Sequence, residues 1–234
     1  SYKIDNLVIT ATEASRVAKN SDSFFKEVLE KTGLKITIIT GEAEAYYSTK
    51  GILLGSNETD MVIMDIGGAS TELIKLEESE LKSSFSMPIG AVRLTNWIEK
   101  GIYEEKVNEV ITSFKTQLSK LGEVNYLHCV AGTMTSVANI DLENMEFIEN
   151  EVHGHKIKSE RLRELQERFK DYSPEQFLQD FPFLGKRSKT IKAGLMLANV
   201  ICDELSVNEV EISTYGLRYG TLIEGEVRDG FIFK

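Results

Sequence analysis

Short apolar runs recur along the chain at the length and composition of buried β-strands. Residues 61–64 (Met-Val-Ile-Met) and 73–76 (Leu-Ile-Lys-Leu) are the clearest pair, and only eight residues separate them. Further runs that predict strands cover residues 7–10, 36–39, 80–87, 126–131 and 209–213.

Between these runs, apolar residues recur at helical spacing. Residues 104–121 place five of them on one face: Val107, Val110, Ile111, Phe114 and Leu118. Start and stop signals at Asn20 and Gly33 predict a helix around residues 24–31. Further helices are predicted at residues 41–54, from 90 onward, and at 160–170, 174–180, 189–205 and 215–227, with a loop containing extended pieces at 141–159. This alternation predicts an α/β fold with a mixed sheet.

The segment between Asp65 and Glu72 joins the two clearest strands. Gly67 and Gly68 are predicted to adopt positive φ and to turn their N–H groups toward an anion, and Ser70-Thr71 adds hydroxyl donors. Asp65 and Glu72 supply hard oxygen ligands suited to a Mg²⁺ ion that bridges to phosphate. An ordinary glycine turn with solvated acids is the alternative interpretation.

The composition is that of a globular protein, with 234 residues, 41% hydrophobic and 27% charged. No apolar run approaches the roughly 18 residues of a membrane span, and the first five residues have no signal-peptide character. Cys129 and Cys202 lie in apolar segments. Two buried free thiols in a reducing cytoplasm explain them better than a disulfide.

The net charge is −10, which disfavours nucleic-acid binding because that function needs a basic surface. Positive charge is nevertheless gathered in Lys186, Arg187, Lys189 and Lys192, just before an apolar helix. Cations at a helix N-terminus oppose the helix dipole. A polyanion-binding role and a solvated helix start are therefore both open.

Three further features carry weaker signals. Glu42 and Glu44 both fall in the first turn of the helix predicted from residue 41, where acids suit the dipole, and the residues alone do not separate a catalytic from a structural role. A strand runs into Gly132-Thr133, a second junction where free N–H groups would contact phosphate. His153-Gly154-His155 lacks a clear third ligand, which favours a polar loop over a metal site.

Five segments, in order along the chain, resemble the exopolyphosphatase/guanosine pentaphosphate phosphohydrolase (Ppx/GppA) family of the actin, sugar-kinase and heat-shock ATPase superfamily. They are residues 11–16 (ATEASR), 39–45 (ITGEAEA), 65–72 (DIGGASTE), 88–94 (PIGAVRL) and 213–220 (STYGLRYG). Each segment alone is a weak signal, and their ordered spacing across nearly all of the chain carries the resemblance.

The resemblance implies a ribonuclease-H-like (actin-like ATPase) fold, with the active site in the cleft between two domains. Residues 1–57 would be the remainder of domain I and residues 58–234 domain II, with the last helix (216–234) packing back on domain I. Family members use Mg²⁺ to hydrolyse the terminal phosphoanhydride of polyphosphate or the 5′ γ-phosphate of guanosine pentaphosphate. These are the expected substrates and cofactor.

The resemblance also implies roles for residues. Glu44 matches the family's catalytic base, and Asp65 and Glu72 match its Mg²⁺-associated carboxylates. The second phosphate-binding loop and its neighbours supply the phosphate candidates Gly67, Gly68, Ala69, Ser70, Thr71, Gly90 and Arg93. For Arg93 a surface helix position is the alternative, and Arg218 is expected to anchor the last helix.

The chain departs from the family pattern at three points. Ala69 stands where the family usually has glycine, which requires a negative φ there. Tyr219 replaces the acid of the usual Leu-Arg-Glu-Gly ending. No first Asp-x-Gly-Ser phosphate loop precedes Leu7, so domain I is expected to be incomplete and this chain alone weakly active or inactive.

Two other functions are open. A kinase of the same superfamily would hold adenosine near residues 130–133. A non-catalytic binder of polyphosphate or an alarmone nucleotide is favoured by Ala69, Tyr219 and the missing loop. No nucleic-acid or membrane partner is expected, and exposed strand edges favour a homodimer.

Overall fold

The first part of the chain forms a small sheet and three helices. The computed structural model describes Ile4 and residues 6–233. This part contains β1 (Thr10–Ala11), α1 (Glu13–Val17), α2 (Ser21–Thr32), β2 (Thr37–Ile38) and α3 (Gly41–Gly55). β1 and β2 pair in parallel. Helix α2 ends at Gly33, whose φ of 72° is the left-handed conformation that the predicted stop signal requires.

A mixed sheet forms the centre of the described residues, with strand order β5-β4-β3-β6-β8-β7. Its strands are β3 (Met61–Ile66), β4 (Thr71–Glu77), β5 (Glu80–Met87), β6 (Tyr126–Val130), β7 (Lys156–Lys158) and β8 (Glu209–Ile212). β3, β6 and β8 are parallel, whereas β4 and β5 on one side and β7 on the other are antiparallel to their neighbours. The predicted α/β class with a mixed sheet is confirmed.

The remaining helices flank this sheet. They are α4 (Ala91–Glu99), α5 (Tyr103–Ser119), α6 (Ala131–Asp141), α7 (Glu149–Val152), α8 (Ser159–Phe169), α9 (Pro174–Asp180), α10 (Ile191–Leu205) and α11 (Leu217–Glu224), with 3₁₀ segments at Pro182–Lys189 and Asp229–Phe231. The loop with extended pieces predicted at 141–159 is wrong in part, because it contains helix α7, whereas β7 is one of the expected extended pieces. Strand β7 is too short for a periodic signal and forms because Ile157 is buried opposite Val210. Each described helix is too short or too polar to cross a bilayer.

Alternate residues of β3 face opposite layers of the core, as the pleat of a strand requires. Val62 and Met64 belong to the large apolar cluster that α4, α5, α6, α8 and α10 complete. Met61 and Ile63 pack instead with Ile52 of α3. Helix α3 therefore covers the face of the sheet opposite those five helices.

Helix α3 also lies unusually close to α11. A Cβ atom built at Gly220 would lie 1.8 Å from the carbonyl oxygen of Tyr47, and one at Gly51 would lie 2.2 Å from the carbonyl oxygen of Gly216. The backbones of α3 and α11 are therefore closer together than a residue with a Cβ atom at either glycine would allow. This contact fixes α3, and with it the residues of its first turn.

The chain then returns to β2. The amide of Phe233 donates to the Ile38 carbonyl at 2.9 Å, and the amide of Thr40 donates to the Phe231 carbonyl at 3.0 Å. The C-terminal segment thus contacts β2 and Thr40, within the first 57 residues of the chain. The division into domains at residues 57 and 58 remains a prediction.

Candidate active site

A cavity of about 660 Å³ opens where the β3–β4 turn faces the N-terminal turns of α3, α6 and α11. Its volume is in the range of small-molecule sites. The walls on the β3–β4 side are formed by Glu13, Glu44, Asp65, Glu72 and the turn residues 67–70. The cavity thus brings together residues from distant parts of the sequence, from Thr12 to Arg218.

The β3–β4 turn is compact and presents its backbone to the cavity. Asp65 pairs with Glu72 and Ile66 with Thr71, and the amide of Gly67 donates to the Ser70 carbonyl at 3.0 Å. The prediction of positive φ at Gly67 and Gly68 is wrong, since neither residue adopts it. Ala69 also avoids positive φ, so its methyl group introduces no backbone strain.

The N-terminus of α4 supports this turn from behind. The Gly67 carbonyl accepts from the Ala91 amide at 2.9 Å, and the Gly68 carbonyl accepts from the Val92 amide at 2.9 Å. A Cβ at Gly90 would lie 2.7 Å from the carbonyl oxygens of both turn glycines. Gly90 is not among the residues that line the cavity. Its observed contribution is the close approach of α4 to the turn, and its role as a phosphate ligand stays a prediction.

Two other predicted phosphate ligands direct their side chains elsewhere. The Thr71 hydroxyl is buried and donates to the Ile89 carbonyl at 2.6 Å. Arg93 donates to the Pro88 carbonyl at 2.8 Å and lies 3.8 Å from a carboxylate oxygen of Glu13. Neither residue is among those that line the cavity, and a phosphate contact from either side chain stays a prediction.

Three carboxyl groups, those of Glu44, Asp65 and Glu72, converge on the cavity. Asp65 and Glu72 are directly opposite each other in the antiparallel ladder, a position where like charges repel. Burial, and then the charges of Glu72 and Glu44, raise the pKa of Asp65 to about 8. Burial and the charge of Glu72 raise the pKa of Glu44 to about 7. Burial also raises the pKa of Glu72.

Arg16 supplies the counter-charge on this side. Its guanidinium donates to Glu44, to the Ile39 carbonyl at 2.6 Å and to Glu13 at 3.1 Å. The described residues donate no hydrogen bond to the second oxygen of Glu44. Arg16 thus fixes the orientation of the carboxyl group and leaves one oxygen available. Arg16 ends the first segment of the family resemblance, but no sequence pattern predicted this role for it.

The cations of residues 186–192 do not act as one cluster, because the structure places them in different surroundings. Arg187 lines the cavity, whereas Lys186 and Lys189 do not. The Arg187 guanidinium packs on Gly132, where a Cβ would lie 2.4 Å from it. Lys192 donates to the Lys170 carbonyl at 3.0 Å, so it caps the end of α8.

Arg187 thus lies beside the first turn of α6, which is itself the positive end of a dipole. Ala131, the first residue of α6, has a φ of 67°, a strained value for a residue with a Cβ. No carboxylate of the described residues pairs with Arg187 or with Arg218, which also lines the cavity. This side of the cavity therefore favours an anion.

The chemistry of the acidic side fits Mg²⁺. A hard cation would relieve the repulsion between Asp65 and Glu72, and Mg²⁺ is usually bound by one or two carboxylates together with substrate phosphates and water. Within residues 6–233, no three His, Cys, Asp or Glu side chains are close enough to hold a metal alone. The two histidines of the segment His153-Gly154-His155 have partners away from the cavity: His153 stacks on Tyr215, and His155 forms a hydrogen bond with Asp141 at 2.8 Å.

Comparison with known proteins adds to this geometry. The sequence profile described as the Ppx/GppA phosphatase family matches residues 1–228. A protein of Fusobacterium nucleatum named bifunctional 3-dehydroquinate synthase/phosphatase is 27% identical, and the match covers 96% of this chain and 36% of that protein. A guanosine-5′-triphosphate,3′-diphosphate pyrophosphatase of Aeromonas salmonicida is 29% identical over 93% of this chain and 44% of that protein. The chain thus spans less than half the length of either relative.

Among solved structures, the Aquifex aeolicus PPX-GPPA enzyme superposes with a TM-score of 0.77 at 27% identity. The match covers 95% of this chain and 76% of that one. The likeness therefore extends over nearly all of this chain.

Proposed function

Because the chain belongs to the Ppx/GppA phosphatase family, we propose that it contributes the active site of a hydrolase that releases the terminal phosphate of polyphosphate or the 5′ γ-phosphate of guanosine pentaphosphate. One observation carries the proposal. Glu44 and the backbone of the 67–70 turn line the same cavity, as a base and a phosphate cradle must. The fold, the family and the guanosine pyrophosphatase among the relatives support the same class of reaction.

The turn binds the phosphate that is transferred. The backbone amides of Gly68 and Ala69 donate no hydrogen bond within the described residues, and they are free to bind a phosphate oxygen. The Asp65 and Glu72 carboxylates would hold Mg²⁺, which neutralises charge that develops on the phosphate oxygens. Arg187, which packs beside the first turn of α6, binds the remaining phosphates.

Glu44 orients the attacking water and accepts its proton. A pKa near 7 is well matched to a general base at neutral pH. The bond from Arg16 holds one oxygen of the carboxyl group, and the other faces the water. Phosphoryl transfer depends mainly on positioning and charge neutralisation, and these residues supply both.

The test is the Glu44→Gln substitution in the product of the complete open reading frame. We expect phosphate release from tripolyphosphate and guanosine pentaphosphate to fall by about 10²–10⁴-fold, the usual contribution of a general base, with substrate binding retained. Glu42→Gln is the matched control, since Glu42 is exposed on the same turn and does not line the cavity. Unchanged turnover in Glu44→Gln would remove the assigned base.

A non-catalytic binder is the second candidate, and Tyr219 favours it. This residue replaces the usual acid, and its hydroxyl donates to Glu149 in the cavity wall at 3.0 Å. Ala69 no longer argues for this candidate, because its φ is not positive. If the product of the complete open reading frame binds guanosine pentaphosphate tightly and releases no phosphate from it, the protein is a non-catalytic binder.

Compartment and assembly are part of the same proposal. Cys129 and Cys202 are both buried free thiols, which supports a reducing cytoplasm. β1 pairs with β2 alone among the described strands, which leaves one strand edge open for a homodimer. Sedimentation velocity over a range of concentrations measures this, and a monomer throughout would contradict the dimer.

A further inference from the structure

One of the three carboxyl groups of the cavity also borders a second opening. A groove of about 510 Å³ lies between α3 and β5, the edge strand of the mixed sheet. Its walls are formed by Gly41, Glu42 and Ala45 of α3, by residues 81–86 of β5, and by Glu72. Of the residues that line this groove, Glu72 is the one that also lines the cavity. The two openings therefore meet at Glu72.

A row of three polar residues crosses the sheet at this point. Glu72 of β4 pairs with Asp65 of β3 on one side and with Ser86 of β5 on the other. Residues directly opposite each other in neighbouring strands have their side chains on the same face of the sheet. The Ser86 hydroxyl donates to Oε1 of Glu72 at 2.6 Å. Glu72 thus has a like charge on one side and a hydrogen-bond donor on the other.

Burial and repulsion make the orientation of Glu72 sensitive to this donor. Glu72 is only 5% exposed, and the charge of Asp65 repels its carboxylate. The adjoining groove leaves the carboxylate room to turn away from Asp65. A hydrogen bond to a carboxylate is about twice as strong as one between neutral groups. The bond from Ser86 therefore fixes the carboxylate where the two openings meet.

A second hydroxyl lies near Glu72, but it is needed elsewhere when substrate is bound. Ser70 lines the cavity and also interacts with the Glu72 carboxyl group. Because Ser70 is one of the predicted phosphate ligands, a bound phosphate competes for its hydroxyl. Ser86 lines the groove instead of the cavity, so no phosphate in the cavity competes for it. Ser86 is therefore the partner that remains with Glu72 throughout.

We propose that Ser86 is a positioning residue, which holds the Glu72 carboxylate in the orientation that binds the divalent cation. The inference rests on the proposed function, in which Asp65 and Glu72 hold Mg²⁺. Removing a hydrogen-bond partner that orients a metal ligand typically lowers metal affinity by about 10–100-fold. Because Ser86 does not line the cavity, its effect falls on cation affinity and not on the chemical step.

The test measures the affinity of this chain for Mn²⁺ by electron paramagnetic resonance, in which the signal of the free ion disappears on binding. Mn²⁺ favours the same oxygen ligands as Mg²⁺. We expect Ser86→Ala to weaken Mn²⁺ binding about tenfold. Ser86→Thr keeps the hydroxyl and should retain the parental affinity. Each variant is measured at a temperature at which circular dichroism shows it to be folded, so a loss of stability alone does not alter the result.

Ser84→Ala is the matched control. Ser84 lies on the same strand and lines the same groove, and it is opposite Ile74 instead of a carboxylate; this variant should bind Mn²⁺ as the parent does. In the product of the complete open reading frame, Ser86→Ala should raise the Mg²⁺ concentration for half-maximal phosphate release about tenfold. The rate at saturating Mg²⁺ should stay near the parental rate. A residue that only stabilised the sheet would not separate these two quantities.

The outcomes distinguish the inference from the proposed function. Parental Mn²⁺ affinity in Ser86→Ala, or an equal loss in Ser86→Thr, would overturn the role of Ser86 and leave the proposed function standing. If this chain alone binds no Mn²⁺ while the complete gene product is active, an unchanged half-maximal Mg²⁺ concentration in Ser86→Ala overturns it instead. If the chain binds no Mn²⁺ and the complete gene product releases no phosphate, the proposed function and the inference both fail.

Discussion

The Gly220→Ala substitution tests how strictly α11 positions the catalytic helix. The added methyl group would lie 1.8 Å from the Tyr47 carbonyl oxygen and 2.6 Å from its carbon. A carbon and an oxygen need about 3.2 Å, the ordinary contact limit, so α11 and α3 must separate by about 1.4 Å. Both contacts are with backbone, so no side-chain rotation relieves them.

The magnitude follows from two opposing effects. Overpacking costs typically 1–3 kcal/mol, and replacing glycine by alanine inside a helix returns up to about 1 kcal/mol. A backbone clash this close falls at the upper end of the first range, so we expect a net loss of about 2 kcal/mol. For a chain of this length each kcal/mol lowers Tm by about 2–4 °C, which gives a fall of about 4–8 °C.

Differential scanning calorimetry measures the change in stability, and phosphate release by the complete gene product measures its effect on function. Tyr47 lies one turn after Glu44, so a shift of α3 moves the base, and a misplacement of about 1 Å can reduce the rate by about 10²-fold. Gly230→Ala is the control, since no atom lies within 4 Å of a Cβ at Gly230 and its φ is not positive. A Gly220→Ala protein with parental Tm and activity would refute the close approach of the two helices.

The remaining predictions concern charge and hydrogen bonding. Without divalent cations, thermal stability should fall as pH rises from about 5 to 8. The folded-state pKa values of Glu44 (about 7) and Asp65 (about 8) exceed their ordinary values of 4.5 and 3.8. The folded state therefore holds these protons more tightly than the unfolded state, and this stabilisation is lost when the protons dissociate. Mg²⁺ should restore Tm at pH 8 and Asp65→Asn should flatten the profile; a pH-independent Tm in EDTA would contradict the carboxylate cluster. Thr71→Val should lower the free energy of unfolding, measured in urea, by about 1–2 kcal/mol, since the Ile89 carbonyl loses its donor. Weaker tripolyphosphate binding at unchanged stability would show instead that Thr71 binds phosphate. Arg16→Met should raise the pH at which phosphate release reaches half its maximum, because Arg16 lowers the pKa of Glu44; an unmoved pH–rate profile would show that the two do not interact.

Features set by neighbouring residues were predictable from the sequence. The helix Pro174–Asp180 matches its predicted bounds, because Ser173 and Gln176 form a capping box and proline occupies the first turn. Glu80–Met87 also matches, since alternating residues and Pro88 define the strand and its end. The segment motifs were sufficient to identify the family and to nominate Glu44, Asp65 and the turn.

The sequence was less informative where one segment's role depends on another. Positive φ was the predicted reason for glycine at positions 67 and 68, whereas the structure shows limited space there. A Cβ at Gly67 would lie 3.2 Å from the Ser70 carbonyl oxygen of the same turn, and one at Gly68 would lie 3.3 Å from the Val92 side chain of α4. Arg187 could not be distinguished from Lys186 and Lys189, because only the 3₁₀ segment and its position beside α6 decide which cation faces the cavity.

By itself, then, the sequence determined most of the longer elements, the α/β class, the family and the acidic glycine turn, since periodicity, capping and turn chemistry act over a few residues. Only the tertiary structure decided which groups meet: Arg16 with Glu44, α4 behind the turn, and Phe147 with Phe183 in the cavity lining. The physical reason is distance along the chain. A contact between residues tens of positions apart depends on how helices and strands pack, and no local pattern encodes that geometry.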